Sequence, residues 1–336
     1  MKVASALVAG PQPTPELVVA AVRQALAAAG LERAASVLLL LSRDFSRHPQ
    51  AAILAAARTA GCLQVSGCTA HGVFTESGWQ LDQASAAVMV FGAAQPSPGS
   101  PIVSLAGGST LPYDWRSGSP RAGLLGSEMA CWNGGRLDGN DQASFSVPAG
   151  RYRLARSSGL RRLGKEQTVT AGRGFEVQSL DQLAAIDSLR RVLPAAWRTC
   201  PPLHHIVALR HPDEPAIAIL SANADGSLSL AERLQAGDRL SWAIRQPLNS
   251  EQEMRDSLAA AVDGEKAPDF ALMFSCIGRG PLFYGGEDRD LLAFRERLPG
   301  VPLLGAYGSG QIAPLGSGNQ LFQNTVVTLL FESPHV

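Results

Sequence analysis

The sequence lacks any apolar run near the roughly 20 residues that cross a bilayer as a helix. Its densest run is VLLLL at 37 to 41. It has no CxxC pair. The five cysteines, Cys62, Cys68, Cys131, Cys200 and Cys276, are an odd count scattered along the chain, which argues against a disulfide framework or a zinc site and suits a reducing compartment. It has no charge excess, since 29 Lys+Arg offset 29 Asp+Glu, so no long-range field gathers nucleic acid or an anionic membrane. Nor is there a phosphate loop, because Gly67 to Gly72 is followed by Val73 and Phe74 rather than Lys and Ser or Thr. GRGFEV and GSGNQL do not open helices after strands, and no HxxEH-type signature occurs. His204 and His205 are adjacent and would face opposite sides if the run they open is a strand, which argues against a shared metal. The opening MKVASALVAGPQPTP has one early lysine and a short apolar run, a weak match to a signal peptide. The expectation is a cytoplasmic, unanchored protein with no cofactor, metal, nucleic-acid partner or membrane partner.

What is present suits a compact chain. Hydrophobic residues make up 46% and charged ones 17% of 336 residues, which excludes disorder and leads us to expect two domains or one duplicated unit with an insertion. A strand at VASALVAG is followed by a helix that starts at Thr14-Pro15 and stops at Gly30, then by the strand ASVLLLLS. A second helix, the strand LQVSG and the strand AAVMVFGA complete a βαβαββ unit. The same order returns from LSWAIRQ through NSEQEMRDSLAAAV, DFALMFS, DRDLLAFRERL, VPLLG and NTVVTLLF. Ser42 and Ser275 each end a second strand, and Gly67 to Gly72 echoes Gly305 to Gly310. Residues 95 to 123 are rich in Pro, Gly and Ser and read as an irregular excursion or linker. Short strand signals follow in ASFSV, GRYRLA, TVTAGRGFEVQSL, HIVALR, PAIAIL and SLSL, broken by one helix that Asp181 would cap and Pro194 would stop. The fold class is α/β, mixed α+β, with two duplicated βαβαββ-type units and a mainly antiparallel middle segment.

In an open α/β sheet, ligands bind over the carboxyl ends of the strands. In the second copy this places SCIGRG beside GAYGSGQIAP, with Ser275, Cys276, Gly278, Arg279, Gly280, Gly305, Tyr307, Gly310 and Gln311 as candidate ligand-binding residues. Glycines let backbone N–H groups approach a ligand, and the planar fork of Arg279 suits a carboxylate or phosphate. The bland alternative is that the glycines only make tight turns, Arg279 is solvated and Cys276 is a small core residue. The first copy offers Arg43, Asp44, Cys68, His71 and Glu76 as secondary candidates. Cys68 and His71 lie close enough to suggest a thiol and base, but no carboxylate nearby is placed to orient the histidine.

FSCIGRG at 274 to 280, PLLGAYGSGQIAP at 302 to 314 and NTVVTLLF at 324 to 331 resemble the C-terminal FIST domain. The stretch at 157 to 189 resembles the end of the FIST N-terminal domain, and LLLLSRDF with LQVSGCTAHG its beginning. Residues 105 to 150 match the family poorly. The resemblance divides the chain into a FIST N-like domain at 1–195 and a FIST C-like domain at 196–336. It implies a non-enzymatic sensory role in signal transduction, with a small ligand, an amino acid or small carboxylate, as partner; in eukaryotes it implies substrate recognition within F-box proteins. Carried onto this chain, the family pattern falls on Cys276, Gly278, Arg279, Gly280, Gly305, Gly310, Pro314 and Asn324, and departs at Gln311, where the family shows a glutamate. No transmitter, kinase or cyclase segment follows residue 331, so the signal is expected to leave through a separate partner protein. The alternatives are an interaction module whose 95 to 123 excursion meets a partner, and a thiol enzyme using Cys276 or Cys68.

Overall fold

A computed structural model describes residues 1–92, 101–148, 150–262 and 266–332. The chain opens with β1 (Val3–Gly10), α1 (Pro15–Ala29), β2 (Ser36–Ser42), α2 (Gln50–Ala60), β3 (Val65–Ala70), the hairpin β4 (Gly72–Thr75) and β5 (Gly78–Gln80), and β6 (Ala84–Phe91). Pro15 occupies the first turn of α1, and Gly30 closes it in the left-handed region at φ 62°, while Thr14 stands at the N-cap without a side-chain capping bond. Val18, Ala21, Val22, Ala25 and Leu26 form the buried stripe of α1. Both faces of β2 are covered: Val37, Leu39 and Leu41 meet the helices, while Leu38 and Leu40 enter a central core. That is why its sequence is a continuous apolar run rather than an alternation.

Next come β7 (Ile102–Gly107), β8 (Arg121–Gly126), the hairpin β9 (Cys131–Asn133) and β10 (Arg136–Leu137), β11 (Gln142–Phe145) and β12 (Arg151–Ser157). The excursion expected at 95 to 123 is therefore corrected: its described part holds β7, the start of β8 and a 3-10 turn at Tyr113–Trp115, and residues 93 to 100 lie outside the described residues.

Residues Gly159–Ser250 form a compact unit of their own. It comprises β13 (Leu160–Arg173), β14 (Glu176–Leu180), β15 (Leu183–Ala184), α3 (Ala185–Val192), α4 (Ala195–Arg198), β16 (Ile206–Leu209), β17 (Ile217–Ala222), β18 (Leu228–Leu230) and β19 (Arg239–Arg245). The strands pair in the order β13-β19-β16-β17-β18-β14, and β13 pairs with β14 as well, so the sheet closes on itself and leaves those strands no free edge. The first half of β13 pairs with β19 and its second half with β14, with a register break in each pairing. Leu189 of α3 packs among Leu163, Val177, Leu228 and Trp242, and the Trp242 Nε1–H donates to Ser188 Oγ at 3.1 Å. Asp181 does not cap α3. It sits at φ 46° in a turn before β15 and accepts from the Thr168 N–H at 3.0 Å. The sequence boundary after residue 195 falls inside this unit.

The other unit, Met1–Ser158 with Glu251–Val336, is completed by α5 (Pro247–Val262), which starts just before Glu251, and by β20 (Phe270–Cys276), α6 (Arg289–Arg297), β21 (Leu303–Gly308), the hairpin β22 (Gly310–Leu315) and β23 (Gly318–Phe322), and β24 (Val326–Glu332). The duplication is present with its opening corrected. The counterpart of β1 is β12, which pairs antiparallel with β24 as β1 does with β6, whereas LSWAIRQ belongs to the closed sheet.

A third, reduced copy lies between the two. Parallel pairs β2–β3, β7–β8 and β20–β21 each align one glycine of the later strand with the middle of the earlier: Gly67 with Leu39, Gly123 with Ser104, Gly305 with Met273. In each copy the hairpin after the third strand joins the next sheet. The β4–β5 hairpin pairs with β21, β22–β23 with β8, and β9–β10 with β3, closing a cycle. The three glycines then oppose Trp132, Ile312 and Phe74 respectively. A Cβ at Gly67 or Gly123 would lie 1.8 Å from a backbone oxygen of the paired strand, and one at Gly305 would lie 2.1 Å from the Phe74 ring. Inner faces of all three sheets share one core that includes Leu40, Leu105 and Phe274. Helices cover the outer faces of the first and third copies, while Leu111 and Trp115 pack against that of the middle one.

Candidate functional site

The carboxyl ends of β20 and β21 are neighbours, with Cys276 aligned to Gly308. Arg279, however, is not a rim cation. A 3-10 turn at Ile277–Arg279 carries it inward, to 0% exposure. Its Nε donates to Asp290 Oδ2 at 3.0 Å and its Nη2 to Asp290 Oδ1 at 2.9 Å, while Nη1 and Nη2 reach the Ser157 carbonyl and Oγ, each at 2.7 Å. Tyr284 donates to Asp290 Oδ1 at 3.0 Å. Asp288 caps α6 through the Leu291 N–H at 2.9 Å and accepts from the Tyr307 hydroxyl. Burial raises the Asp290 carboxyl and Asp288 adds to it, with Arg279 opposing. The acidic residues gather there because a helix N-terminus favours negative charge. The glycine after Arg279 has a packing reason too, since a Cβ at Gly280 would lie 3.3 Å from the Tyr307 ring.

The other second-copy candidates are interior as well, apart from Gly278, which is exposed. Ser275, Cys276 and Tyr307 are buried. A Cβ at Gly310 would lie 2.6 Å from Leu321, whereas one at Gly278 would meet nothing nearer than Cys276 Sγ at 3.7 Å, an ordinary contact. Gln311 is 0% exposed and neither end of its amide has a partner; Asn324, at φ 53°, leaves its Nδ2 unpartnered. The register sets Gln311 opposite Leu124 and Phe322, both residues of the central core.

An open crevice lies over the tips of the first copy instead. Arg43 follows directly on Ser42, the last residue of β2, and His71 forms the one-residue link between β3 and β4. Ser42 Oγ donates to Asp44 at 2.7 Å and accepts from the Ser85 N–H at 3.0 Å, which fixes the turn that presents Arg43. The His71 N–H donates to the Tyr307 carbonyl at 3.1 Å, leaving Nδ1 buried without a partner. Thr69 is paired with the Ala130 backbone, and its Oγ1 accepts from that N–H at 2.9 Å. These residues, with Ser127, Glu128 and Met129 of the middle copy, line a cavity of about 170 Å³. A second cavity of about 220 Å³ shares Arg43 and His71 and is otherwise lined by Trp79, Leu81, Asp82, Ile277, Pro281, Leu282 and Gly286. Burial lowers the His71 pKa, Arg43 lowers it further, and Glu128 opposes both. Glu128 stands at φ 58°, a strained backbone for a residue other than glycine. A cation, a carboxylate and a neutral imidazole thus face one small polar space.

Of the remaining first-copy candidates, Asp44 serves the turn and Cys68 is a core residue whose thiol is pushed well up, by burial first and Cys131 second. Glu76 lies at the far end of the sheet from the tips, where its carboxylate accepts from the Leu303 N–H at 2.8 Å and from Ser5 Oγ at 2.5 Å. Thr69, Ser127, Glu128, Trp79, Ile277 and Leu282 were not singled out by sequence. A signal for Ser127 and Glu128 was present, because GLLGS at 123 to 127 repeats the spacing of GAYGS at 305 to 309.

Comparison with known proteins gives a family match over part of the chain. Residues 185–314 match the FIST C domain, which supports a FIST domain protein. An uncharacterized protein of Mycobacterium bovis is 30% identical over 131 residues, 38% of this chain and 33% of that relative. An uncharacterized protein of Mycobacterium tuberculosis is 28% identical over 107 residues, 32% of this chain and 28% of the relative. The chain spans about a third of the length of the curated relatives it matches. The FIST C match suggests a sensory signal-transduction domain.

Proposed function

We propose that the chain is a non-enzymatic sensory module that binds a small anionic or zwitterionic metabolite, an amino acid or small carboxylate, in the crevice over the first-copy strand tips. The observation that carries this reading is Arg43, which has no ion pair among the described residues and lines a cavity together with Glu128. Arg43 takes the carboxylate and Glu128 takes an ammonium if the ligand has one. The unpartnered Nδ1 of His71 takes or gives one further hydrogen bond. Its lowered pKa keeps the imidazole neutral near pH 7, so it adds selectivity without adding charge. Occupancy of the crevice is then passed to a separate partner protein. The buried positions of Cys68 and Cys276 support a reading without thiol chemistry.

A thermal-shift screen against amino acids and small carboxylates tests this. A ligand at about 100 times its dissociation constant adds about 2.7 kcal/mol of apparent stability, and this shift is expected to shrink in Arg43→Ala. Shifts of equal size in both proteins would reject the assignment of Arg43.

A further inference from the structure

We infer that the second cavity holds an apolar tail of the same ligand, so that the molecule recognised is a monocarboxylate with a hydrocarbon substituent. This rests on the anionic-head reading above. The two cavities share Arg43 and His71, so a head bound at the guanidinium has its substituent at the mouth of the second. That cavity is walled by Trp79, Leu81, Ile277, Pro281 and Leu282. Leu282 is 84% exposed, and a hydrocarbon bound beside it would cover part of that apolar surface. Its volume of about 220 Å³ exceeds the roughly 150 Å³ that accommodates benzene, so a branched aliphatic or phenyl group has room. An arginine pairs an apolar methylene stem with a charged head, which suits a residue that lines both spaces. Asp82 is the carboxylate on the second cavity's wall, and it opposes any ligand with a second negative charge at the far end of the tail.

The test is a titration series followed by calorimetry or by NMR shifts: acetate, butyrate, hexanoate, 3-phenylpropionate and adipate, with glycine, leucine and phenylalanine in parallel. Affinity is expected to rise about fourfold per buried methylene, with adipate at least tenfold weaker than hexanoate. Leu282→Ser, at an exposed position that the fold does not depend on, is expected to lower hexanoate affinity far more than acetate affinity. A flat series, or an unchanged slope in both Leu282→Ser and Ile277→Ser, would overturn the tail while leaving the head. Absence of binding by every compound would remove both.

Discussion

Arg43 and Arg279 both follow closely on the tip of a second strand, yet they meet opposite fates because of what the next helix offers. The chain after Arg279 brings Asp290 to 2.9 Å from its Nη2, whereas Arg43 is left exposed. Arg279→Ala is therefore expected to cost about 3–5 kcal/mol of stability, because it strands a buried carboxylate; urea denaturation reads this. Arg43→Ala is expected to change stability by less than about 0.5 kcal/mol. Gln311→Leu should stabilise by about 1–3 kcal/mol, since the amide it removes is buried without partners; an unchanged denaturation midpoint would show that the amide is hydrated. His71 gives a pH dependence of known sign. Its folded-state pKa is lowered, so the unfolded chain binds the proton more tightly and stability is lost as pH falls through the ordinary histidine value of 6.5. Denaturation curves between about pH 5 and 7.5 should show this loss in the wild type and a smaller one in His71→Gln. The residue-level error in the sequence reading has a physical source. An arginine between glycines looks the same whether a glycine admits a ligand or a tyrosine ring, and here Tyr307 fills the space beside Gly280.

At the level of elements, the paired strands and their helices were legible because their burial periods are plain. VLLLL reads as a strand covered on both faces, and α1 has Pro15 and Gly30 at its ends. The middle copy was not legible. It has no helix pattern to announce it, and its strands β7 and β8 are separated by the Pro- and Gly-containing stretch around Tyr113–Trp115. The place of LSWAIRQ was misassigned for a related reason: β19 directly precedes α5, whereas the true counterpart β12 is separated from that helix by residues 159–246, and only pairing partners tell them apart. The equivalence of the three copies makes a sharp prediction. Gly123→Ala should destabilise by about 3 kcal/mol or more, as much as Gly67→Ala, because each new methyl meets a carbonyl oxygen of the neighbouring strand. Gly139→Ala, where a Cβ meets nothing within 4 Å, serves as the control and should be close to neutral. Thermal melts of the three variants decide whether the middle copy is a full structural partner.

The whole molecule consists of a three-copy unit and a closed antiparallel unit inserted between β12 and the body of α5. Because residues 159–250 have their own apolar core, that fragment is expected to fold alone with a cooperative melt. A molten or unfolded fragment would show that it depends on the rest of the chain. Among the described residues no helix is long and apolar enough to cross a membrane. The site lies on the first copy because Arg279 is enclosed by Ser157 and Asp290, which come from distant parts of the chain, whereas Arg43 is left exposed. The most direct measurement is a calorimetric titration of leucine and hexanoate into the wild-type protein and Arg43→Ala. The account predicts saturable binding that weakens at least tenfold in the variant while its melting temperature stays unchanged. Equal affinities in the two proteins would contradict it.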